Sequence, residues 1–284
     1  MKFEIQHTNT FQYESKVDQS LNTIRLKPRG DERQRLLSYH ITISPSSLIR
    51  ENIDIWGNTI GTFYIPELHS ELAIQSTSIV SIQKAPIVNN LLYSPEMQRI
   101  FHSQFFSEQY LPFLKQSQST YLTQTQLNEV FQFIGHGENP ILFALHLMHY
   151  IYSNFTYDAE ATNVNTIATE AFTLKRGVCQ DFTHIMISVL RAKGIPARYV
   201  SGYLYVEENS ALIGDLATHA WVEVMIPGIG WIGLDPTNNV EVLENHIILS
   251  IGRDYLDVSP MEGVYTGGRH QLNVKVEVKS IDHY

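Results

Sequence analysis

The chain has 284 residues, of which 43% are hydrophobic, enough for one large domain or two of moderate size. Its formal net charge of −9, without any basic run, argues against nucleic-acid binding. The single cysteine excludes an internal disulfide and a multi-cysteine zinc site, and no apolar run approaches the roughly 20 residues of a membrane span.

The first residues, MKFEIQH, lack the apolar stretch of a signal peptide. We therefore expect a soluble, cytoplasmic protein.

Residues 1 to about 85 alternate apolar and polar side chains in several short runs, which is typical of antiparallel strands. Phe3 and Ile5, then Phe11 and Tyr13, alternate with polar residues, and residues 39–43 show the same alternation. Gly57-Asn58 is a two-residue turn of the hairpin type between two further runs. The pattern predicts an N-terminal β-sandwich or half-barrel domain over residues 1–85.

A second region, residues 86–284, begins after a boundary marked by Pro86 and Asn89-Asn90. Ser94-Pro95-Glu96 has the capping residue, proline and acid that start a helix. Further helical patterns are predicted at 127–134, from Asn139-Pro140 to 152, and at 168–174. His146 and His149 lie three apart on the helix after Pro140, and we interpret them as solvated or capping residues rather than metal ligands.

The only cysteine, Cys179, lies at the start of the strongest helical pattern. Gly194 and Pro196 mark the end of this pattern. Backbone N–H groups in the first turn of a helix favour a thiolate, so Cys179 is a candidate nucleophile. The residues at spacings of three and four that form the apolar stripe are Phe182, Ile185, Met186, Val189 and Leu190.

Strands are predicted at 197–205, 219–226 and 231–234, with a loop at 207–218 and a turn at 227–230. A helix followed by antiparallel strands indicates an α+β core. Residues 247–252 form a further candidate strand, 253–260 a loop or turn, and 272–278 a closing strand.

His219 begins one predicted strand and Asp235 ends the next. In an antiparallel pair the start of one strand lies beside the end of the other, so both side chains can face the cysteine helix. This arrangement is what a thiol nucleophile requires: Cys179 attacks, His219 transfers its proton, and Asp235 orients the imidazole. Taken singly, a cysteine is more often a buried small hydrophobe, and a histidine or aspartate at a strand end is more often a cap.

Four segments of the second region resemble the transglutaminase-like superfamily: 177–182 (GVCQDF), 194–203 (GIPARYVSGY), 218–224 (THAWVEV) and 231–237 (WIGLDPT). In residues 1–85, the segments 20–22 (SLN), 25–28 (RLKP) and 56–58 (WGN) resemble the β-rich N-terminal region of bacterial transglutaminase-like proteins, many of them candidate cysteine proteases. The resemblance implies a papain-like or transglutaminase-like core and the triad of Cys179, His219 and Asp235. In the superfamily an aromatic residue upstream of the nucleophile can help to form the oxyanion hole. Tyr157 is the candidate for that role, and a tyrosine of the core or of the pocket wall is the alternative.

The expected function is a cofactor-independent thiol hydrolase, a peptidase or amidase, that acts on a peptide or protein amide through an acyl-thioester. Transfer of the acyl group to an amine is the first alternative, since water and an amine resolve the same intermediate. A non-catalytic binding or scaffold module is the second. A metal enzyme that uses Cys179 with His184 or His219 is the third. For His184 itself, the sequence leaves open a place in the cleft or an internal hydrogen bond.

Overall fold

The computed structural model describes residues 1–88, 91–207, 212–213 and 218–281. Asn89 and Asn90, and parts of the loop predicted at 207–218, lie outside the described residues. The strands are β1 (Lys2–Ile24), β2 (Gln34–Ser44), β3 (Arg50–Ile53), β4 (Thr59–Ile65), β5 (His69–Ile82), β6 (Thr156–Tyr157), β7 (Arg176–Gly177), β8 (Ala197–Leu204), β9 (His219–Ile226), β10 (Gly230–Asp235), β11 (Val240–Glu241), β12 (His246–Gly252), β13 (Met261–Thr266) and β14 (His270–Ser280). The α-helices are α1 (Pro95–Phe101), α2 (Gln104–Gln109), α3 (Gln124–Ile134), α4 (Pro140–Asn154), α5 (Ala168–Leu174), α6 (Cys179–Ala192) and α7 (Tyr255–Val258).

The N-terminal sheet is built along β1, one long strand where the sequence predicted several short ones. Residues 2–17 of β1 pair with β5 and β14, and residues 18–24 pair with β4 and β13. Two polar residues, His7 and Asn9, occupy buried positions of β1 between Ile5 and Phe11. The alternation of apolar and polar residues is therefore interrupted there, although the strand continues. The His7 ring has two hydrogen-bond partners: His7 Nε2 lies 3.2 Å from Asn9 Oδ1, and His7 Nδ1 lies 2.9 Å from the Tyr203 hydroxyl.

The end of the chain returns to this same sheet. Both β13 and β14 pair antiparallel with β1, with Phe3 opposite Ser280 and Ile24 opposite Met261. Residues 261–280 therefore lie in the N-terminal sheet, whereas the sequence placed them in the second region, residues 86–284. Alternation identifies a strand but not its distant partner.

The second region has an α+β core, as predicted. Five antiparallel strands in the order β11-β10-β9-β8-β12 form its sheet, and α6 packs on one face of β8 and β9. The stripe predicted from the sequence is buried along α6, from Phe182 to Leu190. The helix ends where Gly194 adopts a φ of 81°, and Ile195 N–H donates to the Leu190 carbonyl at 2.9 Å.

One predicted loop is wrong. Within 253–260, residues Tyr255–Val258 form the one-turn helix α7. Asp254 caps it by accepting the Leu256 N–H at 3.0 Å. Four residues are too few to display a helical period, so the pattern gave no signal.

The two regions are joined through side-chain amides on the outer edge of β12. Gln34 binds both the N–H and the carbonyl of Ile248, at 2.7 Å each. Asn58 binds the N–H and the carbonyl of Ile251 at 2.9 and 2.8 Å. Each amide replaces the pair of hydrogen bonds that a neighbouring strand would make, so the N-terminal region fixes the position of β12.

We expect Gly202→Ala to destabilise the protein by about 1–3 kcal/mol, the usual cost of overpacking a core. Gly202 lies on β8 opposite His219, and an added Cβ would overlap the Ile247 carbonyl oxygen and the Trp221 ring. Thermal unfolding measures the effect. Gly137→Ala, at a position with open space around it, is the control, and equal melting temperatures for the two variants would contradict the argument.

Candidate active site

The start of α6 is held in shape by one carboxylate. Asp181 accepts the Val178 backbone N–H at 2.8 Å and the Thr162 hydroxyl at 2.6 Å. A side chain at position 177 would overlap Asp181, so Gly177 is needed for this close approach. Cys179 follows as the first residue of the helix, and only 5% of it is exposed.

The hairpin of β9 and β10 brings His219 and Asp235 together. Leu234 lies opposite Val222, so the next residue of β10, Asp235, lies opposite Trp221 of β9. His219 precedes Trp221 by two residues on β9, so its side chain is on the same face of the sheet as Trp221 and Asp235. The pair is thus diagonal rather than directly opposed, which is still within reach of long side chains. His219 Nε2 lies 2.8 Å from Asp235 Oδ2, and both side chains are buried.

Asp235 is held by five hydrogen bonds. Its Oδ1 accepts the backbone N–H groups of Thr237 and Asn238 at 2.9 and 3.3 Å. Its Oδ2 accepts the Asn238 side-chain amide at 2.7 Å, His219 at 2.8 Å and His246 at 3.1 Å. Burial alone would raise the pKa of this carboxyl, but the two imidazoles outweigh burial and hold the pKa well below its usual range.

The Cys179 thiol lies close enough to the His219 ring to act on its pKa. Burial acts to lower the pKa of His219, yet the Asp235 carboxylate that is hydrogen-bonded to it, together with the nearby Cys179, raises that pKa to about 10. His219 Nδ1, the ring nitrogen that does not contact Asp235, is buried and has no hydrogen-bond partner among the described residues, the Cys179 thiol included. Catalytic hydrogen bonds commonly form or tighten only when substrate binds.

His246 is a residue of this site that the sequence reasoning missed. It is buried, its Nε2 contacts the same carboxylate oxygen as His219, and its ring lies 5.2 Å from that of Trp221. The sequence carried no direct signal for it, because His246 stands one residue before the strand predicted at 247–252. Its place at the site follows from the pairing of β12 with β8, which sets His246 beside the end of β8, where β9 begins and β10 ends. Among the described residues, His219, Asp235 and His246 are also the group whose donor atoms lie close enough, within 4.8 Å, to hold a metal ion.

The two other residues singled out from the sequence have different surroundings. Tyr157 of β6 lies opposite Gly177 of β7 in a parallel pairing, and Gly177 is two residues before Cys179. The Tyr157 ring is 6.4 Å from the ring of Phe182. His184 makes an internal hydrogen bond, since its Nε2 accepts the Tyr255 backbone N–H at 3.2 Å. Burial, reinforced by Arg191, lowers the pKa of His184 to about 3, so it is neutral at physiological pH.

Two protein-family models match the chain. The transglutaminase-like superfamily model matches residues 130–236, which include Tyr157, Cys179, His219 and Asp235. The model of the bacterial transglutaminase-like N-terminal region matches residues 3–81. Among the described residues, no helix is long and apolar enough to cross a membrane.

Individual relatives agree with these models. An uncharacterised protein of Mycobacterium leprae is 32% identical over 283 residues, which cover 98% of each chain. A protein-glutamine gamma-glutamyltransferase of Pseudomonas aeruginosa is 33% identical over 149 residues, 49% of this chain and 22% of that one. The crystal structure of a candidate cysteine protease from Cytophaga hutchinsonii superposes with a TM-score of 0.76 at 25% identity, covering 100% of this chain and 92% of that one. The chain is therefore an enzyme of the transglutaminase-like superfamily that carries a bacterial transglutaminase-like N-terminal region.

Proposed function

We propose that the protein is a thiol hydrolase that cleaves peptide or protein amides through an acyl-thioester on Cys179. The observation that carries the proposal is the buried pair of His219 and Asp235, 2.8 Å apart, with Cys179 near enough to raise the pKa of the imidazole. An imidazolium beside a thiol at a helix start stabilises the thiolate, which is the nucleophilic form.

The reaction proceeds in two halves. The Cys179 thiolate attacks the amide carbonyl carbon, the C–N bond breaks, and His219 gives its Nδ1 proton to the leaving amine. Water then attacks the thioester, His219 takes one proton from that water, and the acid and the thiolate are released. Asp235 keeps the Nε2 proton on His219 throughout and stabilises the imidazolium. The Cys179 backbone N–H, with Tyr157 as a second donor, is placed in this proposal at the developing oxyanion.

Acyl transfer to an amine is the second candidate function. The similarity to the Pseudomonas aeruginosa glutamyltransferase, 33% identity over 149 residues, favours it. Water and an amine resolve the same thioester, so the triad does not separate the two. The test is incubation with a peptide library and a labelled amine: release of peptide acids supports hydrolysis, and amine incorporation without hydrolysis overturns our preference.

We predict that iodoacetamide alkylates Cys179 rapidly at about pH 6, where an ordinary thiol is almost entirely protonated and reacts slowly. The chain has one cysteine, so the adduct mass identifies the site. Alkylation of the denatured protein at the same pH is the control. A native rate no faster than the denatured rate would instead support the scaffold alternative.

The cytoplasmic location remains part of the proposal. A single unpaired cysteine suits a reducing compartment. Cell fractionation with an antibody to the protein measures it, and recovery outside the cytoplasm would contradict it.

A further inference from the structure

His246 lies beside the proposed triad but takes no part in the proton transfers above. Its Nε2 is 3.1 Å from Asp235 Oδ2, the oxygen that His219 contacts at 2.8 Å. An ionised carboxylate only accepts hydrogen bonds, so His246 must donate through an Nε2–H. Its Nδ1 is buried without a partner among the described residues, which fits a neutral imidazole with the proton on Nε2.

The groups around His246 favour this neutral form. Asp235 on β10 and His219 on β9 face its ring, and Lys84 donates to its backbone carbonyl at 3.3 Å. Burial lowers the pKa of His246, while Asp235 acts in the opposite direction, and the charges of His219 and Lys84 lower it further. A second imidazolium would repel the one on His219, whereas a neutral donor does not.

We propose that His246 is a positioning residue for the proposed reaction, because its Nε2–H shares the Asp235 oxygen with His219 and limits how strongly that carboxylate holds the imidazolium. A hydrogen-bond donor makes a carboxylate less basic. His219 must give up a proton to the leaving amine, and an imidazolium that is held too strongly is a poor acid. His246 thus keeps His219 acidic enough to complete the first half of the reaction.

Further contacts fix His246 where it is needed. It is the first residue of β12, whose outer edge is bound by Gln34 and Asn58 of the N-terminal region. The N-terminal region thereby acts on the site through the strand that carries this histidine. No contact of His246 with substrate is required, so the inference concerns turnover rather than binding.

The inference rests on the proposed function, and three variants test it. His246→Phe keeps ring volume but removes the donor, His246→Gln offers an amide N–H in its place, and His69→Phe removes a buried histidine from β5, away from the site. For His246→Phe we expect kcat to fall about 10- to 100-fold with unchanged KM, as for other residues that orient a catalytic group. We also expect a shift in the pH profile of Cys179 alkylation. Its alkaline limb, which reports loss of the His219 proton, should move to higher pH.

His246→Gln should restore part of the lost kcat and bring the alkaline limb part of the way back to its wild-type pH. His69→Phe should leave both kcat and the limb as in the wild type. If His246→Phe lowers only the melting temperature and leaves kcat and the limb unchanged, His246 is structural and the inference is wrong. If His246→Phe does not fold, His246→Asn, whose shorter amide falls short of the Asp235 oxygen, takes its place with the same expected shift.

Two further readouts separate the remaining outcomes. Stoichiometric metal in the purified protein, whose removal by a chelator abolishes turnover, would assign His219, Asp235 and His246 to a metal ion and overturn the inference. A wild-type protein that is neither alkylated at mildly acidic pH nor active on amides would overturn the proposed function itself. Normal wild-type behaviour with an unaffected His246→Phe variant would overturn only the role of His246.

Discussion

Cys179→Ser is expected to lower amide turnover by at least about 10⁴-fold, the scale seen when a triad nucleophile is lost. Serine has nearly the same size, and the buried position at the start of α6 accepts it without a cavity. A hydroxyl, however, is far less acidic than a thiol, so the His219 imidazolium cannot maintain it as an anion. The fold should survive while the chemistry is lost.

The measurement is product release from a peptide amide, with melting temperature recorded alongside. Wild-type protein alkylated with iodoacetamide is the matched control, because it loses the same sulfur function without a change of sequence. Both proteins should be inactive, and the serine variant should unfold near the wild-type temperature. Full activity in Cys179→Ser would mean that another group is the nucleophile and would remove the basis of the mechanism.

The parts of the site that could be predicted from sequence are those that lie at the ends of strongly patterned elements. The α6 stripe places Cys179 at a helix start, and the two-residue alternation of β9 and β10 places His219 and Asp235 at one end of a hairpin. The observed 2.8 Å contact confirms that the hairpin brings the latter two together. Their catalytic roles stay predictions.

What the sequence could not provide depends on partners far apart in the chain. The pairing of β1 with β14 joins residues separated by more than 250 positions, and alternation carries no information about which strand is the partner. His246 was missed for a related reason. Its reach to Asp235 depends on β12 pairing with β8, which precedes the catalytic hairpin in the chain.

Asp235→Asn is expected to lower turnover by about 10⁴-fold, as for the equivalent change in a serine triad, and also to slow alkylation of Cys179. Both carboxylate oxygens accept N–H donors, so the new amide must meet a donor in either orientation. The backbone N–H groups of Thr237 and Asn238 cannot turn away, which leaves the amide NH₂ facing His219. The imidazole must then accept at Nε2 and carry its proton on Nδ1 toward Cys179, which prevents it from acting as a base.

Asp235→Asn should also shift the pH profile of Cys179 alkylation, in a direction set by the pKa of His219. In the wild type the imidazolium is retained until the pH rises through about 10, the pKa to which Asp235 and Cys179 raise His219. Without the carboxylate charge that pKa falls, so the alkaline limb of the alkylation profile should move to lower pH, opposite to the shift expected for His246→Phe. Asp254→Asn is the control, because asparagine also caps a helix and this residue lies outside the triad. An alkylation profile for Asp235→Asn that matches the wild type would show that Asp235 does not support the imidazolium.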